Sequence, residues 1–329
     1  MRRRDFITLI AGSAIAGPLA AYAQPREQKR RVAVLMGGLL PNDSGGQAEV
    51  AALESGLTEL GWKPGGNIEL TYRWPGAELD QVTIAANEIV AMRPDVVVSR
   101  STPTTAIMMN RGLPIVFVLV TDPLGSGFVQ SLGRPGGSAT GFSLFEGSVG
   151  GKWLALLKEA APAVSRVSLL FNPETAPFAE NYRRSAEAAA PTLGVTAVSA
   201  PCGNAAHIES AFAARAAESG GGIIAIADTF INEHRDLIIE LAARHRLPAV
   251  YGIRDFVPRG GLLAYSADFT AIFRRAAGYV DQTLRGVRPG ELPVQAPDKF
   301  TLSVNLKTAG AIGLALPQSL VARADEVIE

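Results

Sequence analysis

Polar and turn-forming residues recur wherever an apolar run of this chain stops. Gly37 and Gly38 follow the first run, and residues 99–104 follow a run of valines. Thr121, Asp122 and Pro123 end "PIVFVLV"; Asn172-Pro173, Asp228-Thr229 and residues 251–255 repeat the arrangement later. In open α/β sheets, ligands bind outside the carboxyl ends of the strands. Ser101-Thr102-Pro103-Thr104-Thr105 opens a helix, so its hydroxyls and free backbone N–H groups can grip a carboxylate. Asp122 and Asp228 can face an ammonium or sugar hydroxyls. The plainer reading is that α/β loops are polar anyway, with Asp122 capping its own turn before Pro123.

Motifs for other chemistry are absent. No glycine-rich dinucleotide fingerprint follows a strand, and "GSVGGKW" has Trp153 where a phosphate loop needs a magnesium-binding hydroxyl. "GFSLF" lacks the second glycine of a nucleophile elbow. His207, His234 and His245 are scattered; the last two lie eleven residues apart on one predicted helix, too far to share a metal. Cys202 is the single cysteine, so neither an internal disulfide nor a thiolate metal cluster can form. No nucleophile has a base beside it. The expectation is a binding protein without a cofactor or metal, and not an enzyme.

The elements that must hold these residues alternate. "RVAVLMGG", "NIELTYRW", "DVVVSR" and "PIVFVLV" read as strands, with amphipathic helices between them. A second series opens at "GGKWLALLKEAAP" and continues through "RVSLLFNP", "VTAVSAP", "GGIIAIAD" and "AVYG". This predicts an α/β chain with two Rossmann-like lobes on parallel sheets. The stretch "SLGRPGGSATGFSLF", rich in glycine and serine, reads as the first crossing between lobes. "FINEHRDLIIELAARHRLP" reads as one helix, and the chain is expected to close with short helical pieces. Crossings near 141–147, 264–268 and 295–303 divide the chain into 31–143 plus 267–295 and 144–266 plus 296–329. Gly137, Gly141, Gly147 and Ser266 are the expected hinge residues.

The chain has 329 residues, 47% hydrophobic and 19% charged, a globular composition of about two domains. "MRRRDFITLIAGSAIAGPLAAYAQP" has a basic start, a broken apolar stretch and a small-x-small cleavage site ending at Ala23. It reads as a signal peptide over residues 1–23, for Sec or twin-arginine export. No cysteine follows the cleavage site to carry a lipid. Removing Arg2, Arg3, Arg4 and Asp5 from 31 basic and 31 acidic side chains leaves 28 and 30, a net of −2. That gives no steering field for nucleic acid.

Six stretches carry a resemblance: "RVAVLMGG", "ESGLTELGW", "PDVVVSRSTPTTAI", "LPIVFVLVTDPLGSGFVQSLGRPGGSATGFS", "GGLLAYSAD" and "LPVQAPDKFTLSVNLKTAGAIGLALPQSL". Over residues 31–329 the chain resembles the tryptophan/tyrosine-type family of ABC transporter substrate-binding proteins. The resemblance implies a type I periplasmic-binding fold with a ligand cleft between lobes. It also implies a periplasmic location, a monomer, a small organic solute such as an amino acid or aromatic acid, and a permease in the inner membrane as partner. A sensor subunit for a membrane receptor is the alternative, and an enzyme on the same fold a remoter one. At the loops matching the family's cleft stand Ser101, Thr102, Thr121 and Asp122 in the first lobe and Asn172 and Asp228 in the second. Gly37 and Tyr251, at further strand ends, complete the candidate ligand set.

Overall fold

The computed structural model describes residues 29–144 and 148–329. The predicted signal peptide lies outside the described residues, as does Gly147. The first lobe begins as strand, helix, strand and the second as helix, strand, helix, because apolar runs alternate with amphipathic segments. Strand β1 (Arg30–Leu35) leads into α1 (Ser44–Glu59), whose cap Asp43 accepts the Gly46 N–H at 2.9 Å. Then come β2 (Ile68–Arg73), α2 (Leu79–Met92), β3 (Val96–Arg100), α3 (Thr102–Met108), β4 (Ile115–Val120) and β5 (Ala139–Ser143). Among the described residues these five strands form one parallel sheet, in the order β2-β1-β3-β4-β5.

Alternate residues of this sheet feed two cores. Val32, Val34, Val96, Val98, Val116 and Val118 pack on one face against α1. Ala33, Leu35, Val97, Phe117 and Val120 pack on the other. A parallel sheet needs this cover on both faces, and the β-branched runs supply it.

The second lobe holds α4 (Val149–Ala160), β6 (Arg166–Phe171), α5 (Ala179–Leu193), β7 (Thr196–Pro201), α6 (Ala205–Ala216), β8 (Gly221–Ala225), α7 (Thr229–Glu233), α8 (Arg235–Arg244), β9 (Ala249–Tyr251) and β10 (Leu263–Ala267). The chain then returns to the first lobe as α9 (Phe269–Leu284), whose Ile272, Phe273, Ala276 and Val280 join the core under α1. It finishes in the second with β11 (Phe300–Asn305), α10 (Leu306–Ala311), α11 (Gln318–Val321) and β12 (Glu326–Ile328). The second sheet runs β12-β11-β10-β9-β8-β6-β7.

Four features differ from the sequence expectation. Residues 139–143, read as part of a crossing, form β5, because the small side chains there let the strand lie against β4. The single helix expected after β8 breaks at His234, whose ψ of 16° leaves the helical path. β10 and β11 pair antiparallel, so the second sheet is mixed. The last residues form β12 beside β11 in place of a helix; three residues are too few to show an alternation in sequence. The chain passes between sheets after β5, at Ala267–Asp268 between β10 and α9, and between Gln295 and β11.

Candidate functional site

The carboxyl ends of β1, β3 and β4 face those of β8 and β9 across the lobe boundary. A cavity of about 390 Å³ lies between them. Leu39, Asp43, Glu49 and Arg100 line it from the first lobe, and Asn232, Ile253 and Asp255 from the second. Ser266 and Phe269 bracket the second crossing at its floor. Its volume falls within the usual range for small-molecule sites.

Among the described residues, every charged side chain in the wall is paired. The Glu49 carboxylate takes Arg100 Nε at 2.8 Å and Nη2 at 3.3 Å, while Arg100 Nη1 donates to the Gly37 carbonyl at 3.0 Å. Both side chains are buried. Burial pushes the Glu49 carboxyl above its ordinary range, against the pull of Arg100. Asp43 meets Arg235 of the other lobe at 2.7 Å. Asp255 pairs with Arg259 at 2.9 Å, Asp268 with Lys299 at 3.7 Å, and Arg254 with Glu326 at 2.6 Å. Of the buried hydroxyls that lack a hydrogen-bond partner among the described residues, two border this space: Ser266 Oγ on the cavity wall and Thr229 Oγ1 in an adjoining recess. Buried polar atoms left so are uncommon and call for a partner.

The residues singled out in sequence divide. Ser101 and Asp228 line the narrow recess, of about 30 Å³, which shares Arg100, Asn232, Ile253 and Phe269 with the main cavity. Gly37 contributes its carbonyl to Arg100. The other five line none of the cavities described here. Thr102 Oγ1 accepts the Thr121 N–H at 2.9 Å and ties the helix start to the end of β4. Asp122 accepts the Gly125 N–H at 2.8 Å within its own turn, and its other oxygen takes Asn181 Nδ2 of the second lobe at 3.3 Å. Asn172 donates its N–H to Asp228 at 2.8 Å. Tyr251 is buried and stacked on Phe256, with ring centroids 4.5 Å apart. The backbone at Ser101 (φ 77°), Leu119 (φ 56°) and Asp122 (φ 50°) is left-handed at non-glycine residues. Such strain gathers at functional edges.

Sequence reasoning passed over Arg100, Glu49, Asp43, Asn232, Arg235 and Asp255. One signal was present: an arginine closing the valine run of β3 has no solvent to reach, so it must find a buried partner. Glu49 and Arg235 sit on helices, where either could equally have been a solvated face.

Asp228 caps α7 and accepts hydrogen bonds from Asn172 N, Thr175 Oγ1 and Phe230 N. Burial nevertheless outweighs these bonds and pushes its pKa from 3.8 up to about 6. An acid with a raised folded pKa holds its proton more tightly in the folded state. Its contribution to stability is therefore greatest below pH 3.8 and falls away as pH climbs through 6. Asp228→Asn should remove that slope. Urea unfolding from pH 4 to 7 should show the wild type losing about 2 kcal/mol relative to the variant. Parallel curves would mean that Asp228 is not the titrating group.

Two α/β lobes, joined by three passages of chain and closed around a solute-sized cavity, define a type I periplasmic-binding architecture. The chain belongs to the family of ABC transporter substrate binding proteins, whose family model matches residues 40–328. Membership makes it a solute-binding component and not a catalyst, and places it outside the cytoplasm with a membrane permease as partner. Among solved structures, a conserved domain protein from Vibrio cholerae is 28% identical, with a TM-score of 0.82 over 91% of this chain and 100% of that one. An ABC domain from Streptococcus pneumonia in complex with L-Trp is 22% identical, with a TM-score of 0.81 over 92% and 100%, a likeness of fold. A tyrosine-binding protein of Clostridioides difficile is 21% identical over 266 residues, 78% of this chain and 74% of the relative.

Proposed function

We propose that the protein closes its lobes over a small organic solute of amino-acid type that carries no net charge, and delivers it to the permease. The observation that carries this reading is the interlobe cavity in which, among the described residues, every charged wall residue already has an opposite partner. A net charge entering such a wall would be left uncompensated, which is costly away from water. A zwitterion or a neutral molecule would not. The names of the tyrosine-binding and tryptophan-bound relatives support the amino-acid class. Thermal-shift screening with amino acids, aromatic acids, sugars and nucleosides tests it, because a ligand that binds only the folded state raises the melting temperature. A shift with zwitterionic amino acids is the expected result. Binding confined to sugars, or turnover of any ligand, would defeat it.

The moving units in this reading are residues 31–143 plus 267–295 and residues 144–266 plus 296–329, pivoting at the three passages. The Asp43–Arg235 pair is then a closing contact, supported by Asn232 Nδ2 near the Gly38 carbonyl at 3.5 Å. Arg235→Gln should therefore favour the open form. Small-angle scattering without added ligand should give a larger radius of gyration than wild type. An unchanged radius would mean closure does not depend on this pair.

A further inference from the structure

We infer that Arg100 is the carboxylate clamp of the cleft and that Glu49 is the positioning residue that fixes its plane. The inference rests on the reading of the cavity as an amino-acid site. A guanidinium has five N–H donors in a rigid plane. Arg100 uses three: Nε and one N–H of Nη2 on Glu49, and one N–H of Nη1 on the Gly37 carbonyl. One donor remains on each terminal nitrogen. Paired donors of this kind are what bidentate recognition of a carboxylate needs.

Position and burial agree with this role. Arg100 lines both the main cavity and the recess beside it, and is only 6% exposed. It ends β3 at the sheet edge that faces the other lobe. The hydroxyls at the adjoining start of α3 are engaged. Thr102 Oγ1 is bonded to the backbone of Thr121, and Ser101 Oγ to Thr104 Oγ1 at 2.9 Å. Glu49 grips the Nε edge and so holds the guanidinium still. Ser266 Oγ and Thr229 Oγ1, the unpartnered hydroxyls around the same space, are left for the solute's other polar group.

Titration calorimetry with L-tyrosine and L-tryptophan against tyramine and tryptamine, which lack the carboxylate, tests the clamp. Glycerol and galactose serve as carboxylate-free solutes of other classes. Wild type should bind the amino acids roughly 10-fold or more tightly than the amines, the discrimination expected of a charge-assisted hydrogen bond. The double variant Arg100→Gln/Glu49→Gln, which strands no buried charge, should shrink that preference to the part owed to the net charge of the amines. If it does not fold, Arg100→Lys keeps a charge opposite Glu49 but not the planar fork, and should shrink the preference in the same way. Equal binding of acids and amines by wild type overturns the clamp, as does a preference the variants retain in full. Wild type that binds glycerol or galactose but no carboxylate overturns the clamp and the amino-acid class, and leaves the two-lobed receptor standing. No binding of any of these solutes overturns the clamp together with the proposed ligand class.

Discussion

Gly141→Ala should lower the unfolding free energy by about 3 kcal/mol or more, read as an earlier midpoint in urea. Gly141 lies in β5 with φ at 152°, a backbone that side chains rarely adopt. A Cβ there would stand 1.9 Å from the Phe117 carbonyl oxygen and 2.7 Å from its nitrogen and carbon. Those are backbone atoms of β4, which is hydrogen-bonded between β3 and β5 and cannot withdraw without disturbing both. Phe117 itself is fully buried. Gly278 in α9 is the control, since nothing lies within 4 Å of its added Cβ. Gly278→Ala should be neutral or stabilise by about 0.5–1 kcal/mol, the usual helix preference. If the two substitutions cost alike, the close approach of β5 to β4 is wrong.

That glycine also shows why part of the fold was hidden in the sequence. The strands of the first sheet were legible because each is a run of β-branched residues bounded by turn residues, as at Val96–Arg100 and Ile115–Val120. β5 is "ATGFS", and its strand character comes from pairing with β4 and from the 294–295 segment alongside it, not from its own propensity. The helix break at His234 was hidden for a related reason. The segment is helical in propensity on both sides of the break, and beyond it Arg235 meets Asp43 of the other lobe. Contacts between lobes leave no periodicity to read.

The cleft was legible as a place more than as a set of side chains. Strand ends marked the sheet edge along which the interlobe cavity lies, and Ser101 and Asp228 border the recess beside it. Thr102, Asp122 and Asn172 are spent instead on protein contacts: Thr102 on the end of β4, Asp122 on its own turn and on Asn181, and Asn172 on Asp228. Hydroxyls and carboxylates near a turn have two possible employers, the local backbone and a ligand, and only geometry separates them. Arg100 offered no such ambiguity once its neighbours were known, because its partner Glu49 lies 51 residues away. A pair so distant in the chain is visible only when β3 and α1 are placed side by side.

Glu49→Ala should cost about 3–5 kcal/mol, because it leaves the Arg100 guanidinium buried without its counter-charge. The double substitution Glu49→Leu/Arg100→Met should recover most of that loss and could exceed wild type, since a buried ion pair is commonly no better for stability than apolar side chains of similar volume. Urea unfolding of wild type, Glu49→Leu, Arg100→Met and the double closes a cycle and gives the coupling directly. A coupling near zero would mean the two groups are solvated well enough to stand alone, and the buried clamp would lose its physical basis. A large coupling with a stable double variant has a further consequence. Stability alone would then give no reason for an ion pair at this position, and the reason must lie in what the guanidinium does at the cavity wall. Held on its Nε edge by Glu49, Arg100 keeps its orientation as the lobes open and close, so the cleft need not order it anew each time a solute arrives.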